Sequence, residues 1–253
     1  MKKKILLTII CIILIGILIF ISVVVTNQKE LNKLKKQPLN LPQNFTYTAH
    51  TGCVDTKDNS LEAIEVGAKH GAQIVEFDLN FLEDGTPVLA HDDPTGNETT
   101  LDQAFKKVSE YENLKVNVDA KSVQNLKAVV DLAEKHDVSD RIFYTGIELK
   151  DVETIKRDSP GVPYYLNVSV DKPKNQTPEY LQNLVNEVKN CGAIGINFNK
   201  DNATKELVEI FHENGLLVSI WTVNNEKEMY EILHLSPDNI TTRRPDKISE
   251  ILK

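Results

Sequence analysis

Cysteine is scarce. Only Cys53 and Cys191 lie beyond residue 40 of this 253-residue chain, which excludes a disulfide-built scaffold. No Cys/His cluster has zinc spacing, so the two thiols read as small buried side chains. No glycine-rich phosphate loop follows the first strand-like run, which argues against a dinucleotide-binding fold. Basic residues run short: residues 1–40 hold seven lysines and one acid, leaving 22 basic against 36 acidic residues in the remainder, a net of −14. A domain of that sign is a poor partner for nucleic acid, whose binding draws on Lys and Arg at phosphates. At 41% hydrophobic and 26% charged, the chain is not disordered, and its length suits one large domain or two small ones.

What is abundant is concentrated. Ile5 to Val25 form 21 residues without a charge, preceded by Lys2, Lys3 and Lys4. As a helix the run would reach roughly 32 Å against about 30 Å of bilayer hydrocarbon, so residues 1–26 are expected to be a transmembrane signal-anchor. The lysines favour an inside N-terminus, which puts the following domain on the extracytoplasmic side of a cell membrane. A cleaved signal peptide is the competing reading, but its apolar region would be shorter, and Ser22 to Asn27 offer no small-x-small site. Ile10 before Cys11 is unlike a lipoprotein signal. Residues 27–43, polar and lysine-bearing, read as a linker.

From residue 44 on, short β-rich runs alternate with segments of helical period. Strands are expected at 45–49, 73–78, 115–119, 141–144, 163–167, 193–197, 216–222 and 239–241. Helices are expected at 60–70, 101–111, 123–136, 147–158, 178–190, 204–214, 226–235 and 246–252. Leu126, Val129, Val130 and Ala133 make an amphipathic stripe. Gly71 and Gly215 stand where C-caps belong, and Asn59 with Glu62 resembles a capping arrangement. Eight strand-then-helix units in about 210 residues suit a (β/α)8 TIM barrel, of class α/β, better than an open doubly wound sheet.

In such a barrel, chemistry belongs at the C-terminal strand ends. The first strand delivers His50, the second Glu76 and Asp78, the third Asp119 and then Lys121. The sixth delivers Asn197, the seventh Trp221 and Asn224, and the eighth Thr242, Arg243 and Arg244. A tight Asp84-Gly85 turn sends a return arm back to the same rim with His91-Asp92-Asp93. Glu76 and Asp78, two apart on a strand, share a face. On a solvent face the pair would mean nothing; inside a barrel two like charges are prohibitive unless paired or metal-bound. With Asp119 they offer three oxygen ligands, which suit Ca²⁺ or Mg²⁺ better than zinc. Taken singly, His50 and His91 read as structural histidines. Sharing one rim with the acids, they suggest a general base and a general acid. His70, His136, His212 and His234 fall on helices and receive no role.

These residues resemble the glycerophosphodiester phosphodiesterase family, within the superfamily of phospholipase C-like phosphodiesterase barrels. The likeness runs from Ala49 to Asp246 through Ala49-His50-Thr51-Gly52, Asp58-Asn59-Ser60, Glu76-Phe77-Asp78, Asp84-Gly85-Thr86-Pro87-Val88-Leu89-Ala90-His91-Asp92, Asp119-Ala120-Lys121, Trp221-Thr222-Val223-Asn224 and Thr242-Arg243-Arg244-Pro245. The resemblance implies a metal-dependent phosphoric diester hydrolase acting on glycerophosphodiesters or related lipid-derived or polymer-bound phosphodiesters. It implies His50 and His91 as the proton-exchanging pair, Glu76, Asp78 and Asp119 as metal ligands, Lys121 as a phosphate contact, and Trp221 lining the site.

Four departures stand out. Thr51 replaces the family's arginine after the first histidine, Asp119 replaces a glutamate, Arg243 replaces the aspartate of a Thr-Asp-Arg-Pro run, and the stretch from Asp93 to Thr100 is short. In a closed barrel the first and eighth strands are neighbours, so Arg243 is expected to restore the lost phosphate-side charge; the alternative is a solvated loop residue or one paired with a nearby acid. A second reading of the whole chain is a catalytically weakened barrel that binds phosphodiesters or serves as a surface module.

Overall fold

The computed structural model describes the backbone of residues 2–253 and the side chains of residues 13, 15–17 and 19–253. It divides into two units, residues 1–39 and 40–253. The first contains helix α1 (Lys2–Leu34), which runs on past residue 26 into the segment read as a linker. Much of the apolar run behind the anchor expectation lies outside the described side chains. Among the described residues, no helix is long and apolar enough to cross a membrane.

The second unit is a closed barrel. In chain order it contains β1 (Thr46–Ala49), α2 (Leu61–Lys69), β2 (Ile74–Phe81), β3 (Pro87–Leu89), α3 (Leu101–Ser109), β4 (Lys115–Ala120), α4 (Leu126–Lys135), β5 (Ile142–Ile147) and α5 (Val152–Asp158). It continues with β6 (Tyr164–Asn167), α6 (Pro178–Cys191), β7 (Gly195–Asn199), α7 (Lys205–Glu213), β8 (Leu217–Trp221), α8 (Glu226–Leu233), β9 (Asn239–Thr242) and α9 (Pro245–Ile251). Eight parallel strands follow one another around the sheet, and β1 pairs with both β9 and β2 to close it. The antiparallel strand β3 is the expected return arm, paired with the outer end of β2.

The helices form where caps and apolar stripes agree. On α3, Thr100 and Gln103 make a capping box, and Leu101, Ala104, Phe105 and Val108 bury one face at i, i+3, i+4 and i+7. On α2 the cap is Ser60, whose side chain accepts from the Ala63 N–H, and not Asn59 as the sequence suggests. Asn59 has φ +55 and serves the site instead. Cys53 and Cys191 are buried and free, as read from the sequence. Helix α5 begins five residues later than expected because the chain stays in β5 through Ile147 and then makes a short 3-10 turn.

Register aligns the site. Asp78 lies opposite Asp119, and Asp119 opposite Thr145, across β2, β4 and β5. At Gly146, with φ +76, a Cβ would stand 2.4 Å from the Ala120 carbonyl oxygen, so only glycine lets β5 come this close to β4.

Candidate active site

All eight residues singled out in the sequence (His50, Glu76, Asp78, His91, Asp119, Lys121, Trp221 and Arg243) line one cavity of about 630 Å³ at the C-terminal ends of the strands. Its floor is acidic. Carboxylate oxygens of Glu76, Asp78 and Asp119 lie within 4.8 Å of one another. Glu76 and Asp78 are only 6% and 4% exposed.

Each acid is held by a different part of the chain. The Thr51 N–H donates to Glu76 Oε2 at 2.8 Å. Asn59 clamps Asp78: its Nδ2 donates to Oδ2 at 2.9 Å, and its Oδ1 accepts from the Asp78 N–H at 3.0 Å. The Thr145 hydroxyl lies 2.6 Å from Asp119 Oδ1. Lys121 does not stand apart as a free phosphate contact; its Nζ is 3.0 Å from Asp78 and 2.5 Å from Asp119. Burial works against the ammonium charge, but Asp119 and Asp78 outweigh it and hold Lys121 well above the usual lysine range.

Glu76 is the acid left over. Among the described residues no Lys or Arg nitrogen is within 4.0 Å of it, and the basic group that does come that close is His50, with Nδ1 at 3.8 Å. Burial first, then the Asp78 and Asp119 charges, push its pKa well above the ordinary carboxylate value. A buried carboxylate in that state beside two others is what a divalent cation relieves. The all-oxygen donor set fits such an ion.

His50 and His91 occupy contrasting positions. The His50 side chain is 23% exposed, and its Nδ1 is 2.9 Å from the Thr51 carbonyl. A carbonyl only accepts, so the neutral ring carries its proton on Nδ1 and its lone pair on Nε2. Burial lowers the His50 pKa, and the Arg243 charge adds to that effect against the Thr51 hydrogen bond and the acids. His91 is 67% exposed, with Nδ1 3.0 Å from Asp92 Oδ1. The segment after it is compact: Glu98 accepts from Thr95 and Gly96, so nothing longer folds over the mouth there. Arg243 makes a two-pronged pair with Asp58 at 2.6 and 3.3 Å while lining the cavity.

Three further residues serve the site without a local signal of their role: Asn59, and Thr145 and Asn167 in the cavity lining. Thr145 lies one residue beyond the expected end of its strand at Tyr144; the alternation Phe143, Thr145 is the available signal. Asn59 has the pattern of a cap, and nothing local ties it to Asp78, 19 residues away.

The sequence matches the model of the glycerophosphoryl diester phosphodiesterase family over residues 42–118 and 103–247. The chain belongs to this family, one of enzymes that cleave phosphodiesters. It is 24% identical over 241 residues to a glycerophosphodiester phosphodiesterase of Caldanaerobacter subterraneus subsp. tengcongensis, covering 81% of this chain and 96% of that one. It is 25% identical over 228 residues to YqiK of Bacillus subtilis, covering 78% and 93% respectively. An Oleispira antarctica phosphodiesterase, solved with sn-glycerol-3-phosphate as product, shares the fold with a TM-score of 0.70 at 18% identity, over 84% of this chain and 97% of that one.

Proposed function

We propose that the protein hydrolyses glycerophosphodiesters or related lipid-derived phosphodiesters, with Glu76, Asp78 and Asp119 holding a divalent cation, Ca²⁺ or Mg²⁺. The observation that carries the reading is the three-carboxylate cluster, two of its members buried and Asp119 half-buried, sharing one cavity with two histidines whose Nδ1 atoms are already engaged. When bound, the cation supplies positive charge to a phosphoryl oxygen. His50, neutral and with its lone pair on Nε2, takes the proton from the nucleophile, water or a substrate hydroxyl. His91, exposed at the mouth and oriented by Asp92, returns a proton to the leaving alkoxide. Arg243, held by Asp58, offers the guanidinium that Thr51 does not, and Trp221 walls the site.

The test is turnover of glycerophosphodiesters by the full chain with Mg²⁺ or Ca²⁺ supplied in turn. His50→Ala and His91→Ala are each expected to lower kcat by about 10²- to 10⁴-fold, the usual worth of a positioned acid or base. Wild-type rates in either variant would overturn the assignment.

For α1 the proposal is an anchor. The apolar side chains from Ile19 to Val25 are exposed along the helix, which supports a lipid surrounding, with the barrel on the extracytoplasmic side of the cell membrane. Protease accessibility of the barrel in intact cells against lysed cells checks it; protection in intact cells would refute it.

A further inference from the structure

Thr51, which stands where the family has an arginine, is 2% exposed and does not line the cavity. Yet each of its polar groups is bonded to the site. Its N–H donates to Glu76 Oε2 at 2.8 Å, and its carbonyl accepts from His50 Nδ1 at 2.9 Å. Its hydroxyl accepts from the Asn59 N–H and lies 3.4 Å from Asn59 Oδ1. Asn59 in turn grips Asp78 through both ends of its amide. One residue thus joins His50 to Glu76 directly, and to Asp78 through a single side chain.

The two backbone bonds would survive most substitutions, because every residue but proline has both an N–H and a carbonyl. The hydroxyl is specific. The Asn59 N–H needs an acceptor and a guanidinium only donates, so the family's arginine could not make this bond. Valine, of nearly the same shape, could not either. The loop that carries these groups is fixed elsewhere too. Gly52, Val54, Asp55 and Asn59 all have positive φ, and a β-branched residue such as Val54, at φ +50, is an outlier there. Such a backbone persists only where surrounding contacts over-determine it. The Val54 N–H, which donates to the Arg243 carbonyl at 2.9 Å, is one such contact, and the Thr51 hydroxyl is another.

We propose that the Thr51 hydroxyl is a positioning group for the carboxylate floor: by fixing Asn59 it holds Asp78 where, with Glu76 and Asp119, it can receive a divalent cation. Thr51 touches no substrate. Its presence in place of arginine is a change of task at this position, from supplying charge on the phosphate side to holding a carboxylate. The inference rests on the cation reading of the cluster and extends it to a side chain outside the cavity.

The test is calorimetric titration of the full chain in detergent with Mg²⁺ and with Ca²⁺. Thr51→Val is expected to weaken ion affinity about tenfold, the lower end for loss of a group that orients a ligand, while Thr51→Ser, which keeps the hydroxyl, stays within about twofold of wild type. Thr51→Arg restores the family's residue and is still expected to lose as much as Thr51→Val. In an Asn59→Gly background Thr51→Val should cost nothing further, since the hydroxyl acts through the Asn59 amide. Ser159→Ala, which breaks the buried bond between Ser159 and Tyr144, is the control: it should lower stability and leave ion affinity unchanged. Thr51→Val at wild-type affinity, Thr51→Ser losing as much as Thr51→Val, or an equal loss in Ser159→Ala would overturn the proposal. Should Thr51→Val fail to fold, Thr51→Ala takes its place. Turnover of a glycerophosphodiester separates the claims. Wild type that binds neither ion overturns the positioning role together with the cation reading. The expected pattern of ion affinities without turnover keeps the positioning role and removes the hydrolase. Turnover with ion affinity unmoved by Thr51→Val removes the positioning role and leaves the hydrolase.

Discussion

Asn59 makes the sharpest test of how the carboxylate floor is held. Its side chain makes two hydrogen bonds to Asp78, one to the carboxylate and one from the backbone N–H. Glycine is the right replacement because φ is +55, where alanine would add backbone strain unrelated to the clamp. Losing a hydrogen bond to a charged group costs about 1.5–3 kcal/mol and a neutral one about 1 kcal/mol. Asn59→Gly is therefore expected to destabilise the barrel by roughly 3 kcal/mol, which for a domain of this size lowers Tm by about 6–12 °C. It also frees Asp78 to rotate. Loss of a group that orients a ligand typically costs 10- to 100-fold in metal affinity, about 1.4–2.7 kcal/mol. Denaturant unfolding gives the first quantity and calorimetric Mg²⁺ and Ca²⁺ titration the second. A variant within 0.5 kcal/mol of wild type (about half a hydrogen bond) and with unchanged metal affinity would show that Asn59 does not hold the floor.

Because Glu76 has a raised pKa in the folded, metal-free protein, the folded state binds protons more tightly there than the unfolded chain. Metal-free stability should therefore fall as pH rises above the ordinary glutamate value of about 4.3, while metal binding should release protons and weaken as pH falls. Glu76→Gln should remove both trends, read by Tm against pH and by calorimetry in buffers of different ionisation heat. Arg243→Ala should raise KM for an anionic diester about tenfold with little loss of stability, since its pair with Asp58 is exposed (39% and 56%) and worth about 0–1 kcal/mol. With its repulsion gone, the acidic limb of the rate profile, assigned to His50, should move to higher pH. Unchanged KM and an unmoved limb would count against both roles. Gly195→Ala would place a Cβ 2.0 Å from the Leu217 carbonyl oxygen, forcing β7 from β8 at a cost of about 1–3 kcal/mol or more, measurable in urea.

The eight barrel strands are legible because parallel strands buried on both faces read as short apolar runs bounded by turn residues. The rim residues are legible for the same reason, since each sits at or just beyond a strand end. What local pattern cannot carry is pairing between distant positions. Thr145 meets Asp119 only because Gly146 admits a close β4–β5 approach and the register aligns them. Asn167 and Asn197 are unremarkable strand asparagines until β6 and β7 are laid side by side. Arg243 shows both outcomes at once. Neighbouring strands do bring it to the cavity, and it is also paired with an acid, Asp58.

That pairing bears on how a domain of net charge −14 could admit an anion. Each cation of the cavity is already matched: Arg243 with Asp58, Lys150 with Glu148, and Lys121 with Asp78 and Asp119. The first two pairs are exposed. Exchanging one carboxylate for a phosphate in water is nearly neutral in energy, so a diester can share the guanidinium at little cost. The floor is different. Glu76 and Asp78 are buried, and one lysine cannot neutralise three carboxylates, so the deficit of positive charge lies where a divalent ion would sit. On the proposed function, a phosphodiester would be received at a rim of soft, replaceable pairs above a floor whose carboxylates could hold a divalent cation. Chelating divalent cations should then weaken binding of a phosphodiester far more than removing either rim pair.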